Sequence, residues 1–121
     1  MSEKMILIAD DAAFMRKMIR STLASAGYTN FIEASNGEEA VKLFASENPD
    51  LVLLDVTMPE MDGLEALKRI MAISPSAKVV MCSAIGQDAT IMEAVRSGAT
   101  EFIVKPFKKD QLSEMVINLL G

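Results

Sequence analysis

The sequence predicts an α/β protein: a five-stranded parallel sheet built from five consecutive βα units, with helices on both faces. Three observations predict it. Short, nearly continuous apolar runs recur along the chain, as in strands buried on both sides. Between the runs, apolar residues switch to helical spacing. Finally, 121 residues with half of them apolar and 24% charged match one globular domain, so residues 1–121 are read as a single unit without linker, repeat or low-complexity segment.

The first run, Met5 to Ala9, ends at Asp10-Asp11. Phe14, Met15, Met18, Ile19, Thr22, Leu23 and Ala26 then recur on one helical face, and Gly27 closes the segment as C-terminal glycines do. A more polar run, Phe31 to Ala34, precedes Ser35 or Asn36 as cap of a second helix that turns Ala40, Val41 and Phe44 inward and stops near Asn48-Pro49. The third run, Leu51 to Leu54, ends in Asp55, and a loop from Thr57 to Gly63 leads to a helix from Leu64 to Ile73, before Ser74-Pro75. The fourth run, Val79 to Cys82, ends at Ser83, followed by a helix from Gln87-Asp88 to Gly98. The fifth, Phe102 to Val104, ends at Lys105, and a last helix carries Leu112, Met115, Val116, Leu119 and Leu120 at the i, i+3, i+4, i+7, i+8 positions.

The second run is the most polar and suits an edge. Sheets of this kind take the order 2-1-3-4-5, which puts the first and third strands together where the winding reverses, and ligands bind beyond the carboxyl ends there. That edge would gather Asp10, Asp11, Asp55, Ser83 and Lys105 in one pocket.

Composition removes several chemistries. Histidine is absent, which excludes Ser-His and Cys-His mechanisms, and one cysteine, Cys82 inside an apolar run, reads as a core thiol rather than a zinc ligand or nucleophile. A net charge of −5 argues against direct binding of nucleic acid, whose phosphates demand clustered cations. No apolar stretch reaches the ~18 residues of a membrane helix, and Met1-Ser2-Glu3-Lys4 does not begin a signal peptide, so no membrane association and a cytoplasmic location are expected.

Carboxylates a few ångströms apart raise one another's pKa unless a cation intervenes. Oxygen donors without His or Cys favour a hard ion, magnesium or as a substitute manganese. A divalent ion with the Lys105 ammonium beside a carboxylate makes an anion trap suited to a phosphoryl group. The phosphate could be merely bound, or a carboxylate could attack it; Asp55, alone at its strand end, is the better nucleophile, Asp10-Asp11 are placed to hold the metal, and Ser83 offers a hydroxyl to a phosphoryl oxygen. Each residue alone has an ordinary explanation, as helix cap, turn or solvated side chain. The specific signal is their conjunction at four strand ends.

In Ile8-Ala9-Asp10-Asp11, Leu53 to Gly63, Cys82-Ser83-Ala84 and Val104-Lys105-Pro106-Phe107, the chain resembles the receiver domains of bacterial two-component response regulators, with a flavodoxin-like (βα)5 three-layer sandwich. The resemblance implies that Asp55 accepts phosphate from the phosphohistidine of a sensor histidine kinase, without the protein being a turnover enzyme. It further implies that Asp11, Asp55 and the Thr57 backbone carbonyl bind magnesium with Asp10 helping through water, and that Ser83 and Lys105 contact the phosphoryl group. It also implies a cis Lys105-Pro106 bond and a switch in which Ser83 moves and Phe102, where many chemotaxis regulators have Tyr, turns inward.

The resemblance puts the partner surface on the fourth helix, fifth strand and fifth helix. Ile91, Met92, Ala94 and Val95 span an arc of about 160°, wider than the roughly 100° a core-facing stripe needs, so Ile91 and Val95 are assigned to that surface with Phe102 and Val104. The chain ends with its fifth helix, so output by binding is expected: to the flagellar motor switch, as in the single-domain chemotaxis regulators that Asp11 to Arg16, Thr57 to Met61 and Ser83 to Gln87 most resemble, or to another effector, with a dedicated phosphatase as a possible further partner. A receiver excised from a longer regulator would have the same sequence.

Three other functions fit parts of the pattern. A haloacid dehalogenase type phosphatase lacks its second Asp here, since Asp55-Val56-Thr57 follows the strand, and its cap would not fit in 121 residues. A flavodoxin-like cofactor binder needs a phosphate-cradling loop where Asp10-Asp11 would repel one. A docking-only pseudo-receiver would not need the complete acceptor set.

Overall fold

In the computed structural model, which describes residues 3–121, five strands alternate with five helices: β1 Met5–Ala9, α1 Ala13–Ser25, β2 Asn30–Ala34, α2 Gly37–Glu47, β3 Leu51–Asp55, α3 Gly63–Ile73, β4 Val79–Ala84, α4 Asp88–Arg96, β5 Glu101–Lys105 and α5 Lys109–Leu120. The strands are all parallel in the order β2-β1-β3-β4-β5. The predicted fold class and order are those observed. The central strand β3 is buried along its whole length, and the more polar β2 lies at one edge.

The period of two divides the apolar residues between two cores. Leu7, Val52, Leu54 and Met81 face Phe44, Leu67, Ile70 and Ala94 of α2, α3 and α4. Ile6, Ile8, Leu53, Val80 and Ile103 face Ile19, Leu23, Leu112 and Val116 of α1 and α5. Fully burying each such Leu or Ile contributes about 1.5–3 kcal/mol, which makes these two layers the main source of stability.

Local signals end and start the helices. Asn36, rather than Ser35, caps α2 by accepting the Glu39 N–H at 2.8 Å, while Glu39 Oε1 reaches back to the Ser35 N–H at 2.7 Å. Asp62 caps α3 through the Glu65 N–H at 2.9 Å. Asn48, in the left-handed region at φ 49°, turns the chain out of α2 toward β3.

Two predicted orientations differ. Phe14 recurs with the apolar residues of α1 but is 73% exposed, because the core stripe is centred on Ile19, Thr22 and Leu23, roughly 130° around the helix from it at 100° per residue. Ile91 was assigned to the partner surface but is only 8% exposed and packs in the core. The core stripe of α4 is centred between Ile91 and Ala94, so the wide apolar arc is split: Met92 and Val95 point outward and Ile91 does not.

Candidate functional site

Strand parity builds the pocket. Asp10 lies two residues past Ile8, Asp55 two past Leu53, and Lys105 two past Ile103, so all three project from the same sheet face as those core residues, beyond its carboxyl edge. The register aligns Ala9 with Leu54 across β1 and β3, which brings the first and third strand ends side by side.

The Lys105 Nζ donates to Asp10 Oδ2 at 2.8 Å and to Asp55 Oδ1 at 3.2 Å. Asp10 and Asp55 are buried, Lys105 is half-buried, and Asp11 is exposed at the rim. Asp10 is also held from its own loop: its Oδ1 accepts the Ala12 N–H at 2.9 Å, and its carbonyl accepts from Arg16 Nη1 at 2.6 Å. Arg16 is braced in turn by Glu33 of β2 at 3.0 Å. The pair Asp10-Asp11 is therefore not the cap of α1, whose N-cap position is Ala12.

Burial raises the pKa of Asp55, the neighbouring Asp10 charge adds to it, and Lys105 opposes both without cancelling them. For Lys105, burial acts downward but is outweighed by its hydrogen bond to Asp10 and the charges of Asp55 and Asp10, so its pKa is raised. Burial pushes the Cys82 thiol up to about 12, which keeps it protonated and unreactive, as its place in an apolar run suggested.

Asp10, Asp11 and Asp55 each offer a carboxylate oxygen, and these atoms lie within 4.8 Å of one another. Two ligands of one magnesium ion at ~2.1 Å lie at most ~4.2 Å apart, so the cluster is close to the required span. Three carboxylates against one ammonium leave two negative charges, which matches a divalent cation. The donor set is oxygen alone. The group could thus hold a metal ion of the hard class, and its residues fit magnesium.

Ser83 is buried at the end of β4, one residue past Cys82, the register partner of Asp55. Its parity is that of Met81, which puts it on the α4 side of the sheet rather than beside Asp10. Thr57 is exposed in the loop after Asp55, and the Lys105-Pro106 bond is cis. Val95 and Phe102 are 53% and 42% exposed, and with Val104 and Met92 they line an apolar groove of about 540 Å³ that Ile91 floors.

Sequence reasoning missed Arg16 and Gln87. Gln87 donates from Nε2 to the Thr57 hydroxyl at 2.9 Å and accepts the Ala84 N–H at 2.6 Å, spanning the two loops beside Asp55. Neither stands at a strand end, and the resemblance carried by Asp11 to Arg16 and Ser83 to Gln87 gave neither of them a role.

Comparison with known proteins decides the family. Residues 6–117 match the response regulator receiver domain. The chain belongs to that family. The receiver is 54% identical to the chemotaxis protein CheY of Listeria monocytogenes over 90% of this chain and 92% of that protein. It is also 40% identical to the regulatory protein AtoC of Escherichia coli, covering 92% of this chain but 24% of that longer protein. Among solved structures it is similar to the receiver domain of NtrX from Brucella abortus, with a TM-score of 0.88 and 33% identity over 95% of this chain and 97% of that one. It is thus a CheY-like signalling receiver. Among the described residues, no helix is long and apolar enough to cross a membrane.

Proposed function

We propose that the receiver, residues 1–121 acting as one unit, accepts a phosphoryl group on Asp55 from the phosphohistidine of a sensor histidine kinase, and that this changes its affinity for an output partner. The observation that carries the reading is the Lys105 ammonium set between Asp10 and Asp55 in a pocket with a buried carboxylate. An Asp55 oxygen attacks phosphorus as the P–N bond to histidine breaks, and the leaving imidazole takes up a proton. Asp11, Asp55 and the Thr57 carbonyl, with Asp10 helping through water, would hold magnesium, which would neutralise charge on the transferring group. Lys105 neutralises a further charge once its bonds to the carboxylates loosen, and Ser83, which faces α4 at rest, moves to donate its hydroxyl to a phosphoryl oxygen.

The likeness to CheY of Listeria monocytogenes favours chemotaxis, with the flagellar motor switch as partner, a cytoplasmic location, and the α4–β5 groove with Val95, Phe102 and Val104 as the docking face. The likeness to part of AtoC supports the second reading, a receiver module of a longer regulator.

Incubation with magnesium and a small acyl-phosphate donor is expected to add the mass of one phosphoryl group, stable in acid and labile in base, and Asp55→Asn should abolish the gain. No mass gain, or a gain that survives in the variant, overturns the reading. Steady turnover of unrelated phosphomonoesters would favour the phosphatase instead.

A further inference from the structure

The β3–β4 ladder ends in an unusual rung. Its last regular bond joins the Val56 N–H to the Cys82 carbonyl at 3.0 Å. Backbone groups two residues apart on a strand share a side, so the Ala84 N–H also points toward β3, where its ladder partner would be the Val56 carbonyl. That carbonyl is taken by the Gly63 N–H at 2.8 Å. The Gln87 Oε1 fills the gap, accepting the Ala84 N–H at 2.6 Å, and its Nε2 donates to Thr57 at 2.9 Å. One carboxamide thus closes the sheet edge next to Asp55 and ties the β4–α4 loop to the β3–α3 loop. Gln87 stands at the N-cap position of α4, yet its side chain makes no cap bond.

We propose that Gln87 is a latch that positions both loops in the unphosphorylated state and is displaced when a phosphoryl group arrives, an inference that rests on Asp55 being the acceptor. The Ala84 N–H adjoins Ser83 and points to the strand that ends in Asp55. A phosphoryl oxygen is an anionic acceptor, and hydrogen bonds to charged acceptors are about twice as strong as those to a neutral carboxamide. The phosphoryl group therefore wins the Ala84 donor from Gln87. Because both bonds belong to one carboxamide, losing the first frees Thr57 at the same time, and the two loops uncouple. Gly86, at φ 94° with open space about its Cβ position, gives the β4–α4 loop a place to turn.

Titration of the magnesium-loaded protein with beryllium fluoride, a phosphoryl mimic, read from amide NMR shifts, tests this. Saturable binding that is lost in Asp55→Asn supports the acceptor reading; without it that reading fails, and the latch with it. Given such binding, Gln87→Met, which keeps length and bulk but forms neither bond, is expected to bind the mimic about three- to tenfold more tightly, the worth of one competing hydrogen bond. Gln87→Ala should do the same. A side chain that merely supports the site would weaken binding when replaced. Equal or weaker affinity in Gln87→Met overturns the latch and leaves the acceptor reading standing.

Discussion

Burial raises the pKa of Asp55 above its ordinary 3.8, and the Asp10 charge adds to the effect. The folded protein therefore binds this proton more tightly than the unfolded chain does. Stability associated with it is fully present below 3.8 and is lost as pH rises through the folded-state value, so at neutral pH the ionised carboxylate destabilises the fold. Without magnesium, Asp55→Asn is expected to melt above the parent protein at neutral pH, with the gap narrowing as acid protonates Asp55. Melting curves in chelator across that range would contradict this if the gap were constant or widened in acid. Lys105 has the opposite balance: its raised pKa stabilises the fold below 10.5, and that contribution is lost as pH rises through the folded value. The three charged residues of this network were legible in the sequence because each ends a strand and the period of two puts them on one face. Gln87 and Arg16 were not, since their roles depend on where a loop or helix turn passes another loop, and no spacing records that.

Among the elements, the loop between β3 and α3 is held from outside by the starts of two helices. Gly37, first residue of α2, donates its N–H to the Met61 carbonyl at 3.0 Å, and a Cβ there would collide with that carbonyl oxygen. Gly63, first residue of α3, packs in the same manner against the Asp55 carbonyl. Two helix starts therefore fix the backbone on either side of Thr57, and both contacts are between main chains, which cannot rotate aside as a side chain could. Gly37→Ala is expected to lower the unfolding free energy by about 1–3 kcal/mol, the usual cost of overpacking, seen as a reduced urea midpoint at unchanged slope. A midpoint within error of the parent would show that the loop yields freely. Sequence patterning located both helices, the first through a cap at Ser35 or Asn36 and the second through its apolar spacing after the loop from Thr57 to Gly63, but gave no sign of these backbone approaches. It also misplaced Ile91: an apolar arc says which residues can face inward, while the centre of the core stripe depends on how α4 is rotated against β4.

At the scale of the whole molecule, the order β2-β1-β3-β4-β5 converts residues far apart in the chain into one charged cluster, with Lys105 bonded across 95 positions to Asp10. That order was legible because buried parallel strands are almost wholly apolar and five units permit few arrangements. The cluster has a consequence for the fold itself. Asp10, Asp11 and Asp55 come together only in the folded chain, so any cation they bind favours folding by mass action. Magnesium at about ten times its dissociation constant should add roughly 1.4 kcal/mol to the unfolding free energy, and each further tenfold increase a similar amount. Asp11→Ala should remove most of this effect while changing metal-free stability little, because Asp11 is exposed. Thermal melts of both proteins over a magnesium series, with sodium matched for ionic strength, separate binding from screening. If the parent melts identically with and without the ion, the cluster is balanced by Lys105 alone and the phosphoryl chemistry has no metal to draw on. If instead both proteins gain equally, the ion acts elsewhere on the acidic surface, whose net charge of −5 would attract it without a site.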